Sequence, residues 1–467
     1  MNSGKGVSMV GTLPPTGTTA QTRAPYGWTP LVVLFVVGLV DRVENNLLSG
    51  VLPHVQAEWG FSDTAAGSIP TASALAAAIV AIPAGYLADR VNRTRILAVV
   101  VTLWAVATLG SGLAAGFAMF YAMRVFLAAA ENIDNPAAGS LTADYYPPVT
   151  RAKAYGLTRV TTYLGGIGTL IGGVLAQAYG WRTAFLVMVV PGLITAYLCR
   201  RLREPARGHL DQVVAGGSGT VADSSDAVVT GSSVTVAAGS PDVVASGGSG
   251  LVADRRAGRF AEVLRIPTLV IVCVGLALLT LGLAGIFYWM PTLMVRGFGV
   301  GTGVAGSISG LITVTGPVLG TLIGSRLGST WHGTIKGGRL LAGGGGITAG
   351  SVVLAGALAM DSLLWLSVLT LLASTLMSIA IPNMTASLAD VVGAHARGLG
   401  FAVLQLLTTF GGAFGSLIVG RVSDSSGSLT AGMYALIPPM VIGGVITLLA
   451  RGFFERDAAR VLEQARR

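Results

Sequence analysis

Charge is what this chain has least of. Asp, Glu, Lys and Arg make up only 11% of the 467 residues, against 52% hydrophobic residues and a mean hydropathy of +0.71. A water-soluble fold of this length needs far more ionised surface, so the composition excludes one and leaves a polytopic all-α membrane protein. Cysteine is nearly missing as well. Cys199 and Cys273 both fall in apolar stretches and are expected to be free thiols. The sequence has no Walker A glycine loop, no HExxH, no zinc-type Cys/His spacing and no GxSxG elbow. ATP-driven pumping and membrane hydrolysis therefore lack a basis, and neither an enzyme activity nor a metal or organic cofactor is expected. Residues 1–28 have no apolar core ahead of a cleavage site. Rich in Gly, Thr and Pro, they are expected to be a disordered tail rather than a signal peptide.

What is present is a succession of long apolar stretches. Twelve are expected to span a bilayer, near 29–52, 65–88, 94–115, 118–143, 153–179, 183–200, 267–293, 303–327, 339–360, 362–388, 397–422 and 430–453. The net charge of +9 would suggest a nucleic-acid partner in a soluble protein, but here the basic residues cluster in short loops. If the amino terminus is cytoplasmic, the cytoplasmic segments carry 24 of the 30 Lys and Arg, and the outer loops only Arg182, Arg296 and Arg421. That bias predicts both termini inside and no nucleic-acid role. Only Lys5, Lys153 and Lys336 are lysines, a hint of a GC-rich bacterial genome and hence of an inner (plasma) membrane.

Residues 201–264 form a low-complexity linker in which GGSGTVAD at Gly216 recurs as GGSGLVAD at Gly247. It separates six spans at 29–200 from six at 265–454, with a tail at 455–467. The halves repeat. Pro136, Asp144, Arg151, Gly165 and Gly166 reappear as Pro382, Asp390, Arg397, Gly411 and Gly412, a constant offset of 246 residues. Spans four and ten then run in the same direction, which makes the halves parallel repeats about an axis along the membrane normal, suited to alternating access at their interface.

Six ionisable residues sit inside the first and fourth spans. A charge at mid-membrane costs roughly 2.5–3.5 kcal/mol on insertion scales, so such residues either fix packing or do work. Asp41, Arg42 and Glu44 lie near the centre of span one, and Asp41 and Glu44, three apart, share a helix face with Asn45 beside them. In span four Arg124 and Glu131 are seven apart on one face, with Asp134 three further on, and Asn135-Pro136 is expected to interrupt the helix. The positions 246 residues after Arg124 and Glu131 are Thr370 and Met377, so these charges are no part of the repeated scaffold. Asp41 and Glu131 are expected to bind a coupling proton, with Glu44 and Asp134 as further acids and Arg42 and Arg124 tuning them or engaging an anionic head group. Asn45, Asn132 and Arg159 are expected to meet substrate, and Arg159 could also neutralise a span-four acid.

The loop after span two reads GYLADRVNRTR from Gly85, and its Gly85, Asp89, Arg90 and Arg93 are expected to form a conformational latch, together with Asp144, Arg151, Asp390 and Arg397. The matching turn has Ser325 in place of the aspartate, which predicts a weaker second latch. Positive-inside anchoring is the plainer account of both loops. In the second half, Phe287, Trp289 and the helix breaker Pro291 form an apolar patch, while Asn383, Gln405 and Thr409 supply polar handles; packing is the usual role of each taken singly.

Together these residues resemble the Spinster group of the major facilitator superfamily. The likeness runs through Asp41-Arg42, Gly50-Val51-Leu52, Gln56, Phe61, Asp63, Ala66-Gly67, the GYLADRVNR loop, Arg124, Glu131 and Pro136. It continues through Ala143-Asp144-Tyr145-Tyr146-Pro147, Arg151, Trp289, Pro291 and Gly420-Arg421-Val422-Ser423-Asp424. Ala130 and Asn132 around Glu131, and the extra acids Glu44 and Asp134, depart from the group's pattern. The resemblance implies the major facilitator fold and proton-linked movement of a lysophospholipid or sphingolipid-like substrate by a monomer, with Asp41, Arg42 and Glu131 as the coupling site. A multidrug or metabolite exporter is the alternative, and a non-transporting sensor or scaffold a further one.

Overall fold

A chain in hydrocarbon must satisfy its own backbone hydrogen bonds, and this one does so with helices. The structure, a computed structural model, describes residues 26–207, 265–393 and 396–466. The tail at 1–25, most of the linker, and the side chains of Gly85 and Asp89 lie outside the described residues.

The first half contains α1 (Thr29–Trp59), α2 (Asp63–Arg90), α3 (Arg93–Gly112), α4 (Phe117–Tyr145), α5 (Pro148–Leu164), α6 (Gly166–Tyr179) and α7 (Trp181–Arg201). The second contains α8 (Pro267–Phe298), α9 (Thr302–Trp331), α10 (Gly338–Leu358), α11 (Leu363–Ser378), α12 (Ala380–Val391) and α13 (Arg397–Ser426), then α14 (Leu429–Tyr434), α15 (Ile437–Leu449) and α16 (Arg451–Arg466). Three crossings are broken within the membrane: α5/α6 at Gly165, α11/α12 at Ile379 and α14/α15 at Ala435-Leu436, so the chain makes twelve passes. Ten helices are apolar and long enough to cross by composition alone. The other two passes, α1 and α4, have 31 and 29 residues, about 45 Å each at a rise of ~1.5 Å per residue. They are the two that carry the mid-span acids Asp41, Glu44 and Glu131.

Three expectations are corrected. Pro136 does not interrupt span four and Pro291 does not end span seven, because α4 and α8 run through them to Tyr145 and Phe298; neighbouring helices absorb the freed backbone groups in a packed bundle. Residues 455–466 are not a plain tail but the greater part of α16. That helix is pinned to the second half by Asp457, which accepts from Thr268 N (3.2 Å) and Oγ1 (2.7 Å), and by Glu455, which accepts from Gly337 N (2.8 Å).

Both halves use one internal tie. Arg93, at the start of α3 and 1% exposed, pairs with Asp144 at the end of α4, and Arg339 pairs with Asp390 at the positions 246 residues later. In the first half the tie also captures the chain leaving α7: Arg93 Nε donates to Glu204 (2.7 Å) and Nη2 to the Pro205 carbonyl (3.0 Å). Arg151 donates to the carbonyls of Ala143 (2.7 Å) and Tyr146 (3.3 Å) at the end of α4. Arg93, Asp144, Arg151 and Asp390 thus brace the interior of a half in this conformation instead of latching one half to the other. Arg90 and Arg397 are exposed.

The halves meet at the end of the molecule opposite the α2–α3 turn. Gly67 and Gly173 let the backbones touch there: a Cβ on Gly67 would lie 2.2 Å from the Ser416 carbonyl, and one on Gly173 2.4 Å from that of Thr302. Asp63 is the hub of this closure. Arg296, in the last turn of α8, grips both its carboxylate oxygens at 2.8 and 2.9 Å, and Gln56 (2.9 Å) and Ser423 (2.6 Å) donate to them as well. Asp424 in turn accepts from the backbone N–H groups of Asp63 (3.0 Å) and Thr64 (2.8 Å), placing an anion at the positive N-terminus of α2 from the opposite half. Among the described residues, the cross-half hydrogen bond farthest from this end joins Tyr163 and Thr321 (3.3 Å). One end is closed, and the other, where α2 turns into α3, is parted.

Replacing Asp63 by Asn removes the charged bidentate contact, and a pair of that kind is worth about tenfold in an equilibrium. In a Cys199- and Cys273-free background, a single cysteine at Thr302 should react about tenfold faster with a membrane-impermeant maleimide once Asp63→Asn is added. Unchanged labelling would show that Asp63 does not hold this end shut.

Candidate functional site

Where the halves part, α1 and α4 bring their mid-membrane acids together. Asp41 lies about three turns into α1, and Glu131 is halfway along α4. Asn45, one turn beyond Asp41, bridges them: its Nδ2 donates to Asp41 Oδ1 (3.1 Å) and to Glu131 Oε2 (2.9 Å), with the Asp41 carbonyl at 3.2 Å. An amide NH2 has two hydrogens, and here both serve carboxylates. The other oxygen of Glu131 is buried with no hydrogen-bond partner among the described residues. Arg42 Nε stands 3.4 Å from Asp41 Oδ2, and its side chain is 43% exposed. The site is therefore two carboxylates joined by a neutral donor, with one cation beside the first. Such a bridge orients the pair but leaves its charge uncompensated.

Glu44 does not belong to this wall, which corrects the expectation. Three residues on a helix turn the side chain by roughly 60° from its neighbour's direction, enough to move Glu44 from the opening into the first half's core. There it is 1% exposed and pairs with Arg124, itself 4% exposed, at 2.5 Å, and takes a bond from Thr108 Oγ1 at 3.3 Å. The Arg124 guanidinium also lies 5.5 Å from the centre of the Phe185 ring. Arg124 is thus buried away from the opening, where neither a head group nor Glu131 holds it. Asp134 is half-buried on α4, within electrostatic range of Cys199 on α7.

Several expected substrate contacts are structural. Asn132 donates to the Ala77 carbonyl and ties α4 to α2. Trp289 is fully buried, its indole donating to the Ser416 carbonyl at 3.0 Å. Asn383, 2% exposed, donates to the Gly324 (2.9 Å) and Ile379 (2.8 Å) carbonyls and holds α12 on α9. Phe287 is half-buried, while Arg159, Gln405 and Thr409 are exposed, the last two joined at 3.2 Å. Both cysteines are free and buried.

Two residues escaped the sequence reading. Arg296 reads in the sequence as a stray outer-loop cation, although the charge-poor outer loops make it conspicuous and its partners Gln56 and Asp63 both lie in the recognised pattern. Arg339 is Arg93 carried forward by the 246-residue offset, a step the repeat itself invites.

Removing one member of a fully buried ion pair strands the other, at a cost of about 3–5 kcal/mol. Glu44→Gln should therefore lower the melting temperature of the purified protein in detergent sharply, and Glu44→Gln with Arg124→Met should recover most of the loss. A Glu44→Gln protein that melts like the parent would contradict the structural assignment.

Comparison with known proteins agrees with this architecture. Residues 34–415 match the Major Facilitator Superfamily. Protein spinster of Drosophila melanogaster is 28% identical over 202 residues, which cover 42% of this chain and 33% of that protein. The hexuronate transporter of Bacillus subtilis (strain 168) is 28% identical over 169 residues, 36% of this chain and 40% of that one. The matched segments thus span well under half of these relatives. A solved bacterial homologue of the human lysosomal transporter Spinster, in an inward-facing and unoccupied conformation, superposes with a TM-score of 0.73 at 20% identity, covering 94% of this chain and 98% of that chain. With twelve passes in two halves and the family match covering most of its length, this multi-pass membrane protein belongs to the major facilitator superfamily, and Spinster proteins are among its relatives.

Proposed function

We propose that this protein is a proton-coupled secondary transporter that carries an amphipathic, lipid-like molecule by alternating access. The observation that carries the reading is the Asn45-bridged pair of Asp41 and Glu131 at the parting of the halves. Closing the open end around that pair would bury two carboxylates against one partly exposed arginine. Burying unpaired charge is costly, whereas one proton shared by the pair leaves a single negative charge for Arg42 to balance. Proton binding thus permits the closing stroke, and release of the Asp63–Arg296 closure opens the far side.

The lipid-like substrate is supported by the contrast between the two walls. Among the described residues, the first half brings Asp41, Arg42 and Glu131 to the parting, while the second carries the neutral, exposed Gln405 and Thr409 beside the exposed Leu406 and the half-buried Phe287. The similarity to Spinster proteins points the same way. The distribution of basic loops supports a cytoplasmic position for both termini and the open end, in a bacterial inner membrane. An opening formed within one chain supports a monomer as the working unit. A second reading, carriage of a small organic acid, is favoured by relatives whose names describe hexuronate and cis,cis-muconate transport.

In proteoliposomes, uptake of tagged lysophosphatidylglycerol by the parent protein should accelerate under an imposed pH gradient. Asp41→Asn and Glu131→Gln should each abolish that acceleration while melting like the parent. If both variants respond to the gradient as the parent does, the coupling assignment is wrong.

A further inference from the structure

Arg159 is a cation in the wrong solvent. It lies on α5, inside the crossing segment Lys153–Tyr179, is exposed, and has neither an ion pair nor a hydrogen bond from its side chain among the described residues. A guanidinium facing hydrocarbon would cost roughly 2.5–3.5 kcal/mol or more, so an unpaired one at this depth is expected to face water.

The direction of the side chain follows from its neighbours. Tyr155 and Tyr163 lie four residues to either side of Arg159 and therefore on the same helix face. Tyr155 Oη donates to the Gly139 carbonyl of α4 at 2.8 Å, and Tyr163 Oη bonds Thr321 Oγ1 of α9, in the other half, at 3.3 Å. The stripe that includes Arg159 thus looks into the space between α4 and α9, which is the opening between the halves.

Arg42 reaches the same space. Gly38 packs on Thr161, and Gly165 on the Arg42 carbonyl, so α1 and α5 run side by side with Arg42 level with Gly165. Arg159 is then six residues nearer the open end, about 9 Å along the axis. Other basic side chains of this half are already answered: Arg124 by Glu44, Arg93 by Asp144 and Glu204, Arg182 by Glu58. The residue 246 positions after Arg159 is Gln405, so the equivalent position of the second half is neutral.

We propose that Arg159, nearer the open end than the Arg42 that serves the acid pair, forms an anion-binding site, and that the head group of the transported molecule carries a net negative charge on a phosphate or a carboxylate. This rests on the coupling reading above: once Asp41 and Glu131 share a proton, Arg42 balances their remaining charge, and Arg159 is the positive charge left for substrate. A guanidinium suits either group through paired N–H donors. Its place nearer the open end makes it the first contact for a head group arriving from that side.

The test uses the full chain in neutral detergent and three probes: lysophosphatidylglycerol, lysophosphatidylcholine of the same acyl chain, and glucuronate. The parent should bind lysophosphatidylglycerol about tenfold more tightly than lysophosphatidylcholine, the size of effect expected for one charge-assisted contact. Arg159→Gln should erase that preference without changing lysophosphatidylcholine affinity, and Arg159→Lys should keep most of it. A parent that does not discriminate among the probes, or an Arg159→Gln protein that loses both lysolipids equally, overturns the proposal. If glucuronate binds in an Arg159-dependent way and neither lysolipid does, the anion site stands and the lipid reading falls. If lysophosphatidylglycerol binding depends on Arg159 while its uptake ignores a pH gradient, the anion site stands and the coupling reading falls.

Discussion

An ionised side chain within the bilayer must be paired, bridged or kept wet, and the interior of this protein shows all three solutions side by side. Glu44 and Arg124 are paired and fully buried. Asp41 and Glu131 are bridged by the Asn45 amide. Arg42 and Arg159 stay exposed. In the proposed cycle, the cost of moving between these conditions would separate two states, because a stroke that dried the opening would first have to neutralise what lines it.

The same economy explains where the scaffold spends its remaining charges. Arg93–Asp144 and Arg339–Asp390 sit at equivalent places in the two halves and stiffen each as a unit. The Asp63 hub joins the halves at one end only. Rigid halves meeting through a small polar closure can rock, because breaking that closure exposes a few groups that water readily solvates. The glycine contacts at Gly67 and Gly173 serve the same end, since flat backbone surfaces meet without side chains that would have to unlock.

Alternation of apolar runs and basic loops was enough to place twelve passes and two parallel halves, because hydrocarbon permits few other solutions for such a chain. It was also enough to single out spans one and four as the carriers of mid-membrane acids, since charges at that depth are conspicuous against so apolar a background. Helix breaks were less legible: Pro136 and Pro291 looked like interruptions and are not, whereas the real breaks at Gly165 and Ile379 carry no stronger local signal than many other glycines and β-branched residues in the chain.

What the sequence by itself determined is therefore the membrane class, the repeat and the depth of each charge, all of which depend on distance along a helix. Which way each charge points was decided by tertiary packing. Asp41 and Glu44 are three residues apart, yet one joins Glu131 through Asn45 and the other disappears into a core pair with Arg124. Arg296 and Asp63 are 233 residues apart and meet only because the halves close at one end. Depth is set by the rise per residue, which a linear string encodes directly, but azimuth and partnership depend on how neighbouring helices rotate against each other, and that is settled only when the whole bundle packs.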